Sequence, residues 1–234
     1  MTELYYMQAD APLKLKTAAQ EIKDGVVILP ATVFYAQGGG QPFDKGLIIA
    51  ESGTFRVDKV QNVDGTVYHH GEFVEGIFGV GDKVHCEVDV DRRRVNTLLH
   101  SGGHLLDLAV KKLGYGWIPS KGYHYPNGSY VEYAGTLEGD PENFACEINS
   151  TTKVLILENL PVRVEYMNRS QMETQLLFVP EYLPTNRPSR VVFMGETGIP
   201  CGGTHVKSLG EISAFNSEKI RIKGGNIRVS YSVK

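Results

Sequence analysis

A chain of 234 residues exceeds the commonest domain size without reaching the length at which one core must divide, so one large domain or two small ones are open, and the pattern below favours two. Its 41% hydrophobic and 22% charged residues are ordinary globular usage, and no apolar run is long enough to cross a bilayer as a helix. The net charge of −3 argues against indiscriminate, charge-driven binding to nucleic acid but leaves room for local basic surfaces. Two clusters qualify: Arg92, Arg93 and Arg94, and the tail residues Lys219, Arg221, Lys223, Arg228 and Lys234 set against Glu218. Either serves equally well as a solvated face. The segment Met1 to Tyr6 lacks the basic stretch and apolar run of a secretory signal, and Cys86, Cys146 and Cys201 suggest no disulfide framework, so a cytoplasmic setting without membrane partners is expected.

From about Val26 to Val90 short β-rich runs alternate with turn signals such as Lys23-Asp24-Gly25, Asp44-Lys45-Gly46 and Asn62-Val63-Asp64-Gly65, which predicts a small antiparallel barrel or sandwich. At Asp89 to Asp91 the pattern turns helical and runs to Leu113, with Gly114 as a stop. The expected fold is therefore α+β, with a β-rich, barrel-like domain over 1–90 followed by an α+β domain over 91–234. In the second part Ser129 to Ala134 reads as a strand, Pro141 to Leu157 as a helix opened by Asp140-Pro141, and Val162 to Tyr166 as another strand. The tail reads as a hairpin of Glu211 to Ile222 and Ile227 to Val233, joined by Lys223-Gly224-Gly225-Asn226 and broken near Asn216-Ser217.

On the first of these helices His100 and His104 lie four apart, within about 40° of each other, so both can grip one metal ion. With Val95 at zero, Leu98, Leu99, Gly102, Leu105, Leu106, Ala109 and Leu113 fall within about 80° of it, whereas the histidines fall at about 140° and 180°, away from the core stripe. A surface pair is the plain alternative to a ligand pair. The other half of the pattern is Cys201-Gly202-Gly203-Thr204-His205, a thiolate and an imidazole donor on a glycine-rich turn. Zinc accepts both donor types, whereas magnesium or calcium would want carboxylates. The glycines at 38 to 40 are not followed by the Lys-Ser/Thr of a phosphate loop, nor spaced as a dinucleotide fingerprint, so no ATP or NAD site is supported.

Three stretches taken together, Val33-Phe34-Tyr35-Ala36-Gln37-Gly38-Gly39-Gly40-Gln41-Pro42, the helix with His100 and His104, and Pro200-Cys201-Gly202-Gly203-Thr204-His205-Val206 followed by Gly210-Glu211-Ile212, resemble the AlaX family. These are free-standing relatives of the alanyl-tRNA synthetase editing domain, akin also to that of threonyl-tRNA synthetase. Lys121-Gly122-Tyr123-His124-Tyr125 and Val131-Glu132-Tyr133 are weaker familial signals. The family usually has Pro-Glu or Ala-Glu in place of Ala36-Gln37, and commonly Thr-Ala between the histidines in place of Ser101-Gly102-Gly103. Two adjacent helical glycines cost roughly 1 kcal/mol each relative to alanine, which points to a close approach, by a substrate terminus or by a packed neighbour.

The resemblance implies a zinc-dependent deacylase for mischarged tRNA, built on the editing domain of the threonyl/alanyl-tRNA synthetase second additional domain type. Zinc would be held by His104, Cys201 and His205, with His100 as fourth ligand or as a neighbour holding water. Gln41, His100 and Ser101 are the expected catalytic residues, with Gln41 or Ser101 hydrogen-bonding a serine hydroxyl, and Gly38, Gly39, Gly40, Lys121, Tyr123 and Thr204 are expected to contact substrate or RNA. Tyr115, Trp117, Tyr123 and Tyr125 lie just beyond the helix, where they stack on terminal bases or pack ordinarily. The implied substrate is seryl-tRNA for alanine, with glycyl-tRNA as a further one. Alternatives are editing of serine from threonine-specific tRNA and a non-catalytic, zinc-containing RNA-binding module.

Overall fold

Apolar residues that alternate with polar ones along long strands give the N-terminal part a sheet with one buried face. The structure, a computed structural model, describes residues 1–176 and 178–234, apart from the side chain of Lys223. Two compact units are present, Met1–Asn96 and Thr97–Lys234.

The first unit holds strands β1 (Glu3–Leu4), β2 (Lys14–Ala18), β3 (Glu21–Lys23), β4 (Val26–Ile28), β5 (Ala31–Thr32), β6 (Gly46–Ala50), β7 (Gly53–Val63), β8 (Thr66–Gly76) and β9 (Lys83–Val88). Seven of them form an antiparallel sheet in the order β2-β9-β6-β7-β8-β4-β3, and β1 pairs with β5 in parallel. The two end strands are consecutive in the chain, joined only by Ala19 and Gln20, so the sheet has to curl until its edges approach each other. Its apolar face encloses Val27, Leu29, Ile48, Phe55, Val57, Val60, Val67, Val84 and Cys86. In β7 the buried positions pass from Phe55 and Val57 to Val60 because a bulge between Val57 and Lys59 inserts one residue against β8. At that bulge Gly71 lies so near the β7 backbone that a Cβ would meet Arg56 O at 1.7 Å.

Two buried polar groups organise this unit. Asp44 accepts from Tyr35 N at 2.7 Å and from Arg93 Nε at 3.0 Å, while Arg93 Nη2 also donates to Val33 O at 2.7 Å. Burial pushes the Asp44 carboxyl up and the Arg93 guanidinium opposes that rise. The Arg92–Arg94 cluster is thus not one solvated patch: Arg93 is buried, Arg92 Nε donates to Phe43 O at 2.9 Å, and Arg94 alone is exposed. The second group is His69, fully buried, with Nε2 2.8 Å from Thr32 Oγ1 and Nδ1 2.9 Å from Val27 O.

The second unit contains most of helix α1 (Val90–Lys112), then β10 (Ile118–Tyr123), β11 (Ser129–Ala134), α2 (Pro141–Glu158), β12 (Val162–Met167), α3 (Arg169–Gln175), β13 (Ser189–Met194), β14 (Thr197–Pro200), β15 (Phe215–Lys223) and β16 (Asn226–Val233). Strands β10-β11-β16-β15 make an antiparallel sheet, and β12-β13-β14 a second one. Leu105, Leu106, Ala109 and Val110 of α1 and Phe144, Ile148 and Leu155 of α2 share one core with Val131, Tyr133, Ile227, Val229 and Tyr231 of the first sheet. Helix α2 starts where Asp140 accepts from Asn143 N at 3.3 Å with Pro141 in the first turn, and it ends at Asn159 in the left-handed region.

The expected second helix, the strand at 129–134 and the tail hairpin are all present, with a register shift between Ser217 and Lys219 where the break is expected. One expectation changes. Glu211 is not in a strand: Ser208 and Glu211 close a capping box on a short 3-10 turn, Leu209–Glu211, and β15 begins only at Phe215. Among the described residues no helix is long and apolar enough to cross a membrane.

His69 gives the first unit an acid sensitivity. Burial lowers its pKa from 6.5 to about 4, so between those values the unfolded chain binds the extra proton and stability falls as pH drops. The loss from this site amounts to about 3 kcal/mol by pH 4. Urea denaturation at pH 7 and pH 4.5 is expected to show a smaller loss for His69→Gln than for the unaltered protein, and equal losses would contradict a neutral, buried His69.

Candidate metal centre

Helix α1 and the loop that follows β14 bring four donors together. His100, His104, Cys201 and His205 offer ligand atoms that all lie within 4.8 Å of one another. Cys201 Sγ is 3.4 Å from His100 Nε2 and 3.4 Å from His205 Nε2. The helical spacing of four supplies one pair, and the Cys201–His205 turn supplies the other.

Contrary to the surface reading of the helical wheel, His100 and His104 are 1% and 7% exposed, whereas Val95, the reference of the supposed core stripe, is 43% exposed. The wheel accounts for one covering layer only. Here β16 covers one side of α1, where a Cβ on Gly102 would meet Tyr231 and Val233, and the Cys201–His205 loop covers the histidine side.

That loop is tied down by polar bonds at several points. Arg190 of β13 donates through Nη1 to Cys201 O at 2.7 Å and Gly203 O at 3.0 Å, and Gly203 N lies 3.3 Å from Cys201 Sγ. Ser101 Oγ accepts from Val206 N at 3.1 Å and lies 3.3 Å from His205 Nδ1. Thr204 Oγ1 is 2.7 Å from Thr97 Oγ1.

Burial sets the electrostatics of the group. It holds the imidazoles of His100 and His205 well below the ordinary histidine range, helped by their neighbouring histidines, and lowers His104 to about 3. All three rings are then neutral near pH 7, with a nitrogen lone pair available. Burial also raises the Cys201 thiol, opposed by the Gly203 amide and the Arg190 guanidinium. Three neutral imidazoles and one sulfur without a carboxylate among them fit zinc, which takes nitrogen and sulfur in fourfold coordination, and do not fit the oxygen-seeking cations.

Other residues singled out in the sequence take varied places. Gly38 to Gln41 form a tight turn in the first unit, closed by Gln41 N donating to Gly38 O at 2.9 Å, and Gly39 and Gly40 both adopt positive φ. Gln41 is fully buried. Lys121 and Tyr123 lie on β10, exposed and half-buried respectively. Trp117 is not a stacking surface for bases: it is buried between Phe144 and Tyr133, and its Nε1 donates to Thr136 O at 3.1 Å. Tyr115 packs against the same core.

Two members of the group escaped sequence reasoning. His124 is buried and stacks on His100, with ring centroids 4.7 Å apart and planes inclined by 17°. Its Nδ1 is 2.6 Å from Tyr231 Oη, which itself donates to Leu99 O at 2.7 Å. Burial lowers its pKa to about 4. The available signal was its place in the Lys121–Tyr125 stretch. Arg190 had none, because nothing local marks an arginine on a strand as the clamp of a loop eleven residues away.

Comparison with known proteins follows this architecture. Residues 5–92 match the family model for class II (A) tRNA synthetases, and residues 189–229 match the threonyl and alanyl tRNA synthetase second additional domain. The alanyl-tRNA editing protein AlaX-L of Pyrococcus horikoshii is 31% identical over 209 residues, covering 88% of this chain and 50% of that protein. The alanine–tRNA ligase of Methanocorpusculum labreanum is 28% identical over 235 residues, 99% of this chain and 25% of the ligase. That of Methanothrix thermoacetophila is 31% identical over 229 residues, 90% of this chain and 23% of the ligase. The chain therefore spans about a quarter to a half of the length of these relatives. One segment of the chain thus carries the additional domain of threonyl and alanyl tRNA synthetases, and the four-donor cluster includes Cys201 and His205 of that segment. Over most of its length the chain is similar to an AlaX-type editing protein and to alanyl-tRNA synthetases.

The paired glycines between the histidines are explained by packing. A Cβ on Gly103 would come within 2.4 Å of His124 Cε1 and 3.1 Å of Tyr231 Oη, so a side chain of this same unit occupies the room a substrate terminus was expected to need. Gly103→Ala should destabilise the protein by about 1–3 kcal/mol through overpacking, although alanine is the better helix former. The cost should shrink in a His124→Ala background. Denaturant titration of the single and double variants reads both, and stabilisation by Gly103→Ala alone would contradict the packing account.

Proposed function

We propose that this chain hydrolyses the ester of mischarged alanine-specific tRNA at a zinc centre formed by His100, His104, Cys201 and His205. The convergence of four nitrogen and sulfur donors within 4.8 Å carries the reading. Its substrate class comes from relatives named as an alanyl-tRNA editing protein and as alanine–tRNA ligases. A pocket for alanine cannot strongly reject glycine, which is smaller, or serine, which merely adds a hydroxyl, so a second, hydrolytic selection has chemical value. Seryl-tRNA is the principal substrate and glycyl-tRNA a further one, in the cytoplasm where translation proceeds. The finer organisation goes with this function: a barrel-like domain over 1–90 and the editing domain over 91–234.

A zinc ion held there supplies a Lewis acid for the ester carbonyl. Because the ester is already activated, the chain has to place a water molecule and steady the charge that develops on oxygen. His104, Cys201 and His205 hold the ion. His100 is either the fourth donor or the neighbour that keeps the water in place. Ser101 is a positioning residue: when His205 offers Nε2 to a metal its proton sits on Nδ1, and that N–H donates a hydrogen bond to Ser101 Oγ at 3.3 Å, fixing the ring. Gln41, on the turn of Gly38, Gly39 and Gly40, recognises the serine hydroxyl. Thr204 keeps the metal loop in register for substrate, and Lys121 and Tyr123 contact RNA.

Four side chains bound at once would close the tetrahedron, as structural zinc sites do, and this favours as second reading a non-catalytic, zinc-containing RNA-binding module. Ester left intact by zinc-loaded protein would support it. Serine editing on threonine-specific tRNA is separated by the choice of tRNA in the same assay.

Metal analysis of protein prepared without chelator should find about one zinc per chain, and Cys201→Ala should lose metal and activity together, since a methyl group cannot replace a thiolate ligand. Activity that survives in metal-free protein would make zinc irrelevant. Seryl-tRNA should be deacylated at least about tenfold faster than matched alanyl-tRNA, because a site that hydrogen-bonds a hydroxyl discriminates against the analogue lacking it. Gln41→Ala should erode that preference without releasing zinc. Equal rates on seryl- and alanyl-tRNA would rule out an editing role.

A further inference from the structure

Strand register gathers cations on the outer face of the β10-β11-β16-β15 sheet. Lys121 stands opposite Glu132, Glu132 opposite Arg228, and Arg228 opposite Arg221, which makes one row across all four strands. The adjoining row runs Tyr123, Tyr130, Ser230 and Lys219. Both rows point away from the core, since the alternate residues Val131, Tyr133, Ile227, Val229 and Tyr231 are the buried ones. Residues more than ninety positions apart thus form one surface, which joins the basic tail to Lys121.

Glu132, the acid within these two rows, is already engaged. Arg228 Nε donates to Glu132 Oε1 at 2.8 Å, and its guanidinium carbon sits 4.1 Å above the Tyr130 ring. Lys121, Lys219 and Arg221 are exposed, and among the described residues none of the three is in an ion pair. Tyr130 continues into a column of rings: Tyr123 stacks on it at 5.2 Å and Tyr125 on Tyr123 at 4.3 Å, with planes within 16°. The column runs from β11 to the β10 edge. That edge adjoins the metal centre, because His124, next after Tyr123, stacks on His100.

Three inter-strand spacings make the face about 14 Å wide, room for several backbone phosphates. Its chemistry is cationic and hydroxyl-bearing rather than apolar, which suits a polyanion and not a lipid interior. We infer that this sheet face docks the RNA backbone of the substrate, with phosphates lying along the two rows toward the His100 edge. The inference rests on the aminoacyl-tRNA reading of the metal centre and adds where the RNA lies.

The test uses the full chain and a fluorescently labelled RNA minihelix with a single-stranded 3′ end and no amino acid, titrated by anisotropy at several salt concentrations. Lys219→Glu/Arg221→Glu is expected to bind at least tenfold more weakly than the unaltered protein. Its slope of log affinity against log salt should be shallower by between about one and two, since every phosphate that the protein ceases to neutralise takes about 0.7–0.9 off the slope. Lys121→Glu should shift both quantities in the same direction, and it keeps the test decisive if the double variant proves unstable. Lys153→Glu, an exposed change on α2, should bind within twofold of the unaltered protein. Melting temperature and metal content confirm that the variants are folded. Unchanged affinity and slope in Lys219→Glu/Arg221→Glu and Lys121→Glu would overturn the inference, even if seryl-tRNA is deacylated. Weakened binding alongside an intact ester in the unaltered protein would uphold the docking face and overturn the hydrolase reading instead.

Discussion

The close approach of helix α1 to strand β16 is the constraint on which the second unit depends. A Cβ at Gly102 would lie 2.6 Å from Val233 Cγ1, and one at Gly103 would meet His124 and Tyr231, so the helix can reach this depth only with glycine at both positions. Tyr231 then donates to the helix carbonyl of Leu99 and sets the helix against the sheet. Because a hydroxyl has one proton to give, the contact to His124 Nδ1 at 2.6 Å is one in which Tyr231 accepts and the imidazole donates. One phenol therefore fixes the depth of α1 and the ring of His124, which in turn lies flat against His100. The helical penalty of two glycines, roughly 1 kcal/mol each, is offset by this packing.

On the opposite side of α1 a different balance holds. Three imidazoles and a thiol gathered in a largely buried space lose hydration, a costly arrangement for polar groups unless something unites them. Arg190 and Ser101 hold the loop backbone and the His205 ring, but neither brings the four donor atoms together. A zinc ion, as proposed for this site, would do so, and its binding free energy would then become part of the stability of this unit. The first unit is organised in another way, around the Arg93–Asp44 pair, where a buried charge is fully hydrogen-bonded by its partner and by the chain of residues 33 to 44.

Legibility in the sequence followed the range of the interactions involved. Helix α2 and the tail hairpin could be read because Asp140-Pro141 and Gly224-Gly225 act within a few residues of themselves. The donors could be named because each pair is local, four apart on a helix or on one turn. Their burial could not, since it depends on the meeting of α1 with a loop a hundred residues later. For the same reason the glycine pair left two explanations open until His124 was seen to fill the space. Strand β13 offered no alternation to read, as all six of its residues are buried. The 3-10 turn at Leu209–Glu211 was legible in principle from Ser208 and Glu211, a serine with a glutamate three residues on.

The central claim is that side chains of α1 and of the Cys201–His205 loop converge on one zinc ion. X-ray absorption at the zinc edge on the purified protein tests it most directly. The account predicts a shell with one sulfur at about 2.3 Å and two or three nitrogens at about 2.0 Å, the sulfur disappearing in Cys201→Ala. A zinc shell of oxygen and nitrogen alone in the unaltered protein, or a sulfur signal that persists without Cys201, would contradict it.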